Sequence, residues 1–179
     1  CPLYATPFTA SVLRRKLEEA GLAREAPITL IPMSGKVSLA PFEVELITLT
    51  HSIPEPNAVV VRTPLGAVLH TGDWKLDPTP ILGPPTDEKR LRELGEAGVL
   101  ALVGDSTNAV RDGRSPSEAE VATIIAGLVK SAKGRVAVTT FASNVARVKA
   151  VADAAKAADR EVVVVGRAME RVVQVAREC

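Results

Sequence analysis

The stretch LHTGDWKLD, at residues 69–77, ends a predicted β-hairpin and begins a loop that carries an acidic residue. Residues 58–62 and 67–70 are rich in apolar, β-branched side chains, and the TPLG between them suits a type I turn, with proline second and glycine fourth. The second strand therefore leads directly to Gly72 and Asp73. This arrangement predicts a strand followed by a functional loop, which is where α/β proteins commonly build their sites.

The chain holds two histidines, and both stand close to carboxylates. His51 lies in LTHSIPE at residues 49–55, and His70 precedes Asp73 by three residues. Imidazole is the usual neutral nitrogen ligand of zinc, and a carboxylate in the turn after a strand can bridge a second ion. We therefore predict His51 and Asp73 as metal ligands, and His70 as a hydrogen-bond partner on the strand. The alternative is that these are ordinary strand-end and turn residues.

THSIPE, HTGDWK and the GDSTNA of residues 104–109 closely resemble, in order and approximate spacing, segments of ribonuclease J, a two-zinc RNA nuclease of the metallo-β-lactamase superfamily and its β-CASP branch. TFASN at residues 140–144 and VGRAME at residues 165–170 extend the resemblance. The fold class it implies is α/β. Residues 1–114 would form the later part of a metallo-β-lactamase αββα domain, and residues 115–179 the first part of a parallel α/β β-CASP domain.

The resemblance also implies catalytic roles. His51 would ligate one zinc ion and Asp73 would bridge two, and a hydroxide shared by the ions would attack a phosphodiester. Asp105, the acid of GDSTNA, matches the first acidic motif of the β-CASP branch, where it hydrogen-bonds a histidine of the site. The alternative for Asp105 is a turn-forming cluster of Asp, Ser, Thr and Asn.

Two helix starts are candidates for RNA or phosphate contact. Ser143 and Asn144 begin one helix, and Gly166 and Arg167 lead into another, so backbone N–H groups and the helix dipole favour an anion at each. Arg167 adds a bidentate charge. The resemblance implies that these segments line the RNA channel and the pocket for a 5′-monophosphate, although Ala168 stands where relatives typically have serine. A simple N-cap explains Ser143 equally well.

The main metal motif of the family, His-x-His-x-Asp-His, is absent from a chain with two histidines. The later histidines that complete the family's site are missing too. We therefore expect an internal fragment of a longer enzyme, with an encoding gene that continues on both sides. With two metal contacts where a tight site needs three protein ligands per ion, the fragment itself is expected to bind zinc weakly and to be inactive.

Composition indicates which classes of protein and which kinds of partner are compatible with this sequence. With 46% hydrophobic and 24% charged residues, the chain is an ordinary globular protein, and no apolar run approaches the length of a membrane span. A net charge of +1 excludes nucleic-acid binding by bulk charge, so single-stranded RNA would bind in a local groove. The two cysteines, at the ends, indicate no disulfide framework. We expect a cytoplasmic protein, a homo-oligomer in full-length form.

Periodicity predicts the remaining elements. Ser115 to Glu118 would form a capping box, and Trp74 would be a core residue. Helices are predicted over residues 7–20, 88–96, 115–130, 144–158 and from 169 onward, and strands over 28–31, 37–39, 42–48, 100–103 (buried), 136–140 and 162–165. The last part thus alternates strand and helix, as parallel β-α units do.

Two other functions stay open. A non-catalytic phosphate- or nucleotide-binding α/β module would rest on the helix starts at Asn144 and Arg167, with phosphate affinity independent of zinc. A structural or partner-binding remnant without a ligand is the third hypothesis.

Overall fold

The computed structural model describes residues 2–178, so the prediction about the two terminal cysteines lies outside the described residues. The strands are β1 (Leu3–Ala5), β2 (Ile28–Leu30), β3 (Lys36–Leu39), β4 (Phe42–Thr48), β5 (Asn57–Thr63), β6 (Gly66–His70) and β7 (Ala101–Val103). The helices are α1 (Pro7–Glu19), α2 (Glu88–Ala97), α3 (Glu118–Ser131), α4 (Val145–Ala157) and α5 (Arg167–Glu178). The predicted α/β class is confirmed.

A five-stranded mixed sheet carries the candidate site. Its order is β3-β4-β5-β6-β7, antiparallel except for the last pair, while β1 and β2 form a separate parallel pair. The predicted hairpin is confirmed, with Thr63 paired to Gly66 across the turn. The chain then passes through α2 and returns as β7 beside β6, so that His70 pairs with Val103. The ends of β6 and β7 therefore stand next to each other.

Alternation in β4 and β5 builds the main core. Ile47, Leu49, Ala58 and Val60 are buried together, and Leu94 of α2 covers them. Ile47 and Leu49 are two residues apart, as are Ala58 and Val60, and this spacing puts side chains on one face of a strand. Leu94 is 3% exposed, so α2 buries its apolar side against this face of the sheet.

The same strand face carries a buried carboxylate. Glu45 is 3% exposed and accepts hydrogen bonds from Arg90, from Nε to Oε1 at 2.7 Å and from Nη2 to Oε2 at 3.0 Å, while Arg62 Nη1 lies 2.6 Å from the same Oε2. The hydrogen bonds from Arg90 lower the pKa of Glu45 most; burial opposes them, Arg62 adds to them, and the pKa falls to about 2. Arg90 belongs to α2, so the ion cluster fixes this helix to the sheet.

A second core joins α1, α4 and α5. Phe8, Val145 and Val175 are buried together, and Ile53 from the loop after β4 packs against them. The same loop supplies a cap to α1, because the Glu55 carboxylate accepts a hydrogen bond of 2.8 Å from the backbone N–H of Phe8. The loop after β4 is therefore held by the helices of both halves of the chain.

Several local predictions are wrong. Residues 136–140 and 162–165 form no strands, because a strand needs a ladder partner and the described residues provide none there. Both segments run past α3 and α4 and line an apolar groove of about 520 Å³. The strand β7 is exposed rather than buried, since it is the edge strand of its sheet. The capping box is formed by Ser117 with Glu120, so α3 starts later than expected.

Candidate functional site

The turn after β6 positions the first candidate residue. Gly72 has φ of 61°, a conformation that costs side-chain-bearing residues free energy, and its backbone N–H donates to His70 Nδ1 at 3.0 Å. Thr71 donates its N–H to the carbonyl of Val103 at 2.9 Å, which extends the β6-β7 pairing by one residue. Asp73 follows this turn and is exposed.

An isolated antiparallel bridge brings the second candidate to the same place. The backbone N–H of Lys75 donates to the carbonyl of Thr50 at 2.9 Å. Because the two segments run in opposite directions, His51 stands opposite Trp74 and therefore close to Asp73. His51 is half-buried, and its Nδ1 lies 3.3 Å from the hydroxyl of Ser52. The two predicted metal ligands thus occupy adjoining loops.

Asp105 joins them from the end of β7. Its backbone N–H donates to Thr71 Oγ1 at 3.1 Å, and its carbonyl accepts a hydrogen bond of 3.3 Å from Trp74 Nε1. The hydroxyl and then the backbone N–H of Thr107 lower the pKa of Asp105, and the nearby His51 lowers it further. Trp74 is 39% exposed, so its prediction as a core residue is wrong: it spans the gap between two loops.

The described residues do not by themselves make a metal site. Across residues 2–178, the side chains of His, Cys, Asp and Glu nowhere gather in threes in a way that could hold an ion. An imidazole and a carboxylate are groups that can ligate zinc, but a catalytic site needs three protein ligands. The described residues therefore provide part of a donor set, and any complete site requires further ligands.

The two candidate anion sites lie in different surroundings. Asn144 caps α4, with its Oδ1 accepting from the Arg147 N–H at 2.9 Å, and the first turn of the helix contacts the His51 loop through the backbone N–H of Ala146. Ser143 precedes this cap. Gly166 has φ of 115° and directly precedes Arg167, the first residue of α5. Arg167 lines a surface depression of about 300 Å³ between α1 and α5.

Sequence reasoning missed a buried acidic pair beside the site. Asp77 is 5% and Glu118 is 7% exposed, and the Glu118 N–H donates to Asp77 Oδ2 at 2.8 Å. Burial would raise the pKa of Asp77, but the hydrogen bonds from Glu118 and Thr79 and the charge of Lys75 together lower it. In the sequence, Glu118 is recognisable only as an acid near a helix start, and its separation of 41 positions from Asp77 gives no local signal of the contact.

Within residues 2–178, each helix is too short or too polar to serve as a membrane span.

Comparison with known proteins agrees with the motifs. The profile of the "Ribonuclease J, beta-CASP domain" family matches residues 133–179. Ribonuclease J of Sinorhizobium meliloti is 54% identical over 177 residues, which are 99% of this chain and 31% of that protein. Ribonuclease J of Thermus thermophilus is 42% identical over 179 residues, again 99% of this chain and 31% of that protein. The predicted resemblance to an internal part of ribonuclease J is thus confirmed, and the chain spans about a third of the length of these relatives.

A solved structure supports the fold. A protein of unknown function from Enterococcus faecalis superposes with a TM-score of 0.62 over 85% of this chain and 39% of that chain, at 17% sequence identity. At this identity the likeness concerns the fold alone.

Proposed function

We propose that this chain is the part of a ribonuclease J-like RNA nuclease that carries one side of its metal site and the start of its RNA-binding domain. The observation that supports the proposal most directly is the convergence of three loops, those of His51, Asp73 and Asp105, at one place in a chain similar to ribonuclease J over 99% of its length. Loop residues held this way by a rigid sheet are typical of catalytic sites.

The proposed reaction is hydrolysis of RNA phosphodiesters. His51 would bind one zinc ion and Asp73 would bridge two, and the remaining ligands would come from outside the 179 residues. When bound, the ions would supply Lewis acidity and a hydroxide at neutral pH. Asp105 would accept a hydrogen bond from a histidine of the site.

The proposed substrate is single-stranded RNA with a 5′-monophosphate, degraded from that end and also cleaved internally. The N-terminus of α4 at Ser143 and Asn144, and that of α5 at Gly166 and Arg167, would contact RNA phosphates. Because residues 2–178 offer only His51 and Asp73 as proposed ligands, the 179-residue chain is proposed to be inactive by itself. A cytoplasmic, homo-oligomeric full-length enzyme remains part of the proposal.

The test is a chimera in which this chain replaces the matching residues of the Sinorhizobium meliloti ribonuclease J. We expect the chimera to degrade 5′-monophosphorylated RNA in the presence of zinc, and Asp73→Ala to abolish the activity. Asp112→Ala, in an exposed loop, is the matched control and should leave it unchanged. An active Asp73→Ala chimera would contradict the proposed role of Asp73.

The same proteins distinguish the nuclease proposal from the alternative of a phosphate-binding module. If the parent chimera is inactive while the 179-residue chain binds inorganic phosphate without zinc, the chain is a phosphate-binding module rather than part of a nuclease.

A further inference from the structure

An ion network around the buried Glu118 connects the Asp73 loop to α3 and α4. Lys75, two residues after Asp73, places its Nζ 3.0 Å from Oε1 of Glu118 and 3.4 Å from Oδ2 of Asp77. Arg147 of α4 reaches the other oxygen of Glu118, with Nη2 at 3.5 Å. A single carboxylate therefore binds one cation from the loop and one from α4.

The first turn of α4 also contacts the other candidate loop. The backbone N–H of Ala146 donates to the carbonyl of Ser52 at 3.2 Å, directly after His51. Val145 packs in the same cluster as Ile53. Val145 and Ala146 thus contact the His51 loop. The next residue, Arg147, is linked to the Asp73 loop through Glu118 and Lys75.

We infer that Glu118 is a positioning residue, which sets the placement of the Asp73 loop relative to the N-terminus of α4 through Lys75 and Arg147. The inference rests on the proposed function, since it assigns Asp73 to the metal and Asn144 to RNA phosphate. Glu118 contacts neither of these residues; it acts through the two cations.

A role for Glu118 only as a favourable charge at the start of α3 does not account for its contacts with other elements. An acid in the first turn of α3 is favoured by the helix dipole wherever its side chain points. Here both carboxylate oxygens are instead occupied by cations from other elements, and its side chain is 8% exposed. Loss of either cation would leave a buried carboxylate poorly compensated, which is costly, so the network favours the observed arrangement of the loop and the two helices.

The first test measures catalysis in the chimera with Glu118→Gln, Lys75→Met and the double variant. The matched control is Glu88→Gln, an acid in the first turn of α2 that pairs with Arg92 at the surface. We expect Glu118→Gln to lower kcat about 10- to 100-fold, as loss of a supporting residue around a metal site does, with KM for RNA little changed. The losses in the double variant should be less than additive, because both substitutions remove the ion pair between Lys75 and Glu118.

The second test needs no activity. Trp74 is the chain's single tryptophan and lies between Asp73 and Lys75, so its fluorescence reports on this loop in the 179-residue chain. We expect Glu118→Gln to increase acrylamide quenching of Trp74 at urea concentrations where the helical circular dichroism is unchanged. Glu88→Gln should leave the quenching as it is. If Glu118→Gln unfolds the chain, Glu118→Asp, which keeps the charge but shortens its reach, should give an intermediate loss of kcat.

The outcomes separate the two proposals. An inactive parent chimera overturns the proposed function and the positioning role together. An active parent chimera in which Glu118→Gln behaves like Glu88→Gln, in kcat and in Trp74 quenching, overturns the positioning role alone. Additive losses in the double variant would also overturn it.

Discussion

Replacement of Glu45 by glutamine tests whether the buried ion cluster stabilises the sheet that carries the site. The pKa of this carboxyl is lowered from 4.5 to about 2 by its arginine partners. The difference corresponds to about 3 kcal/mol of folding free energy at pH 7. Because Arg62 and Arg90 are about a third exposed and can turn to water, we take this value as an upper limit for Glu45→Gln.

The pH dependence follows from the sign of the pKa change. A carboxyl whose pKa is lowered on folding stabilises the protein above its unfolded pKa, and that stability is lost as the pH falls through the folded pKa. The contribution of Glu45 is therefore complete above about pH 4.5, about half present at pH 3 and nearly gone by pH 2.

Urea unfolding followed by circular dichroism measures the effect. We expect Glu45→Gln to lower the free energy of unfolding by about 2–3 kcal/mol at pH 7 and by about half as much at pH 3. Glu43→Gln, two residues along the same strand and exposed, is the matched control and should change it by less than about 0.5 kcal/mol. Equal losses for the two variants at pH 7, or a loss for Glu45→Gln that does not shrink in acid, would refute the reasoning.

Three further changes have defined outcomes. Leu94→Ala should destabilise the chain by about 2–5 kcal/mol in urea unfolding, since it leaves a cavity between α2 and the sheet; a loss below 1 kcal/mol would mean that α2 packs loosely. Asn144→Ala should cost about 1 kcal/mol as a lost N-cap, whereas Ser143→Ala should be nearly neutral, and equal effects would contradict the assignment of the cap. Gly72→Ala should cost about 1–2 kcal/mol because its φ is positive, and calorimetry should show weaker zinc binding by the chimera; unchanged affinity would separate this turn from the metal.

The local elements of the first half could be predicted because their signals are local. The alternation in β4, the turn before Gly66 and the proline at the start of α1 each determine structure within a few residues. The grouping of His51, Asp73 and Asp105 was expected only through the resemblance to ribonuclease J, because their loops meet through backbone contacts such as that of Thr50 with Lys75.

The wrong structural predictions concern residues whose conformation depends on partners that are distant in the sequence. The β-branched residues of 136–140 and 162–165 have strong strand propensity, yet propensity does not provide the neighbouring strand that a ladder requires. Trp74 was expected in the core, but its ring N–H donates to a carbonyl on another loop, and a residue bonded in this way can remain partly exposed. The division of the chain between residues 114 and 115 stays a prediction.

The hydrogen bond between Gly72 and His70 determines which tautomer of the histidine the site contains. Since Nδ1 accepts the backbone N–H, a neutral imidazole must carry its proton on Nε2. The exposed edge of the ring then presents a donor rather than a lone pair, so it can bind an oxygen of water, phosphate or carboxylate but not a cation. One glycine in a turn thereby distinguishes the chemistry of two otherwise identical side chains, His70 and His51.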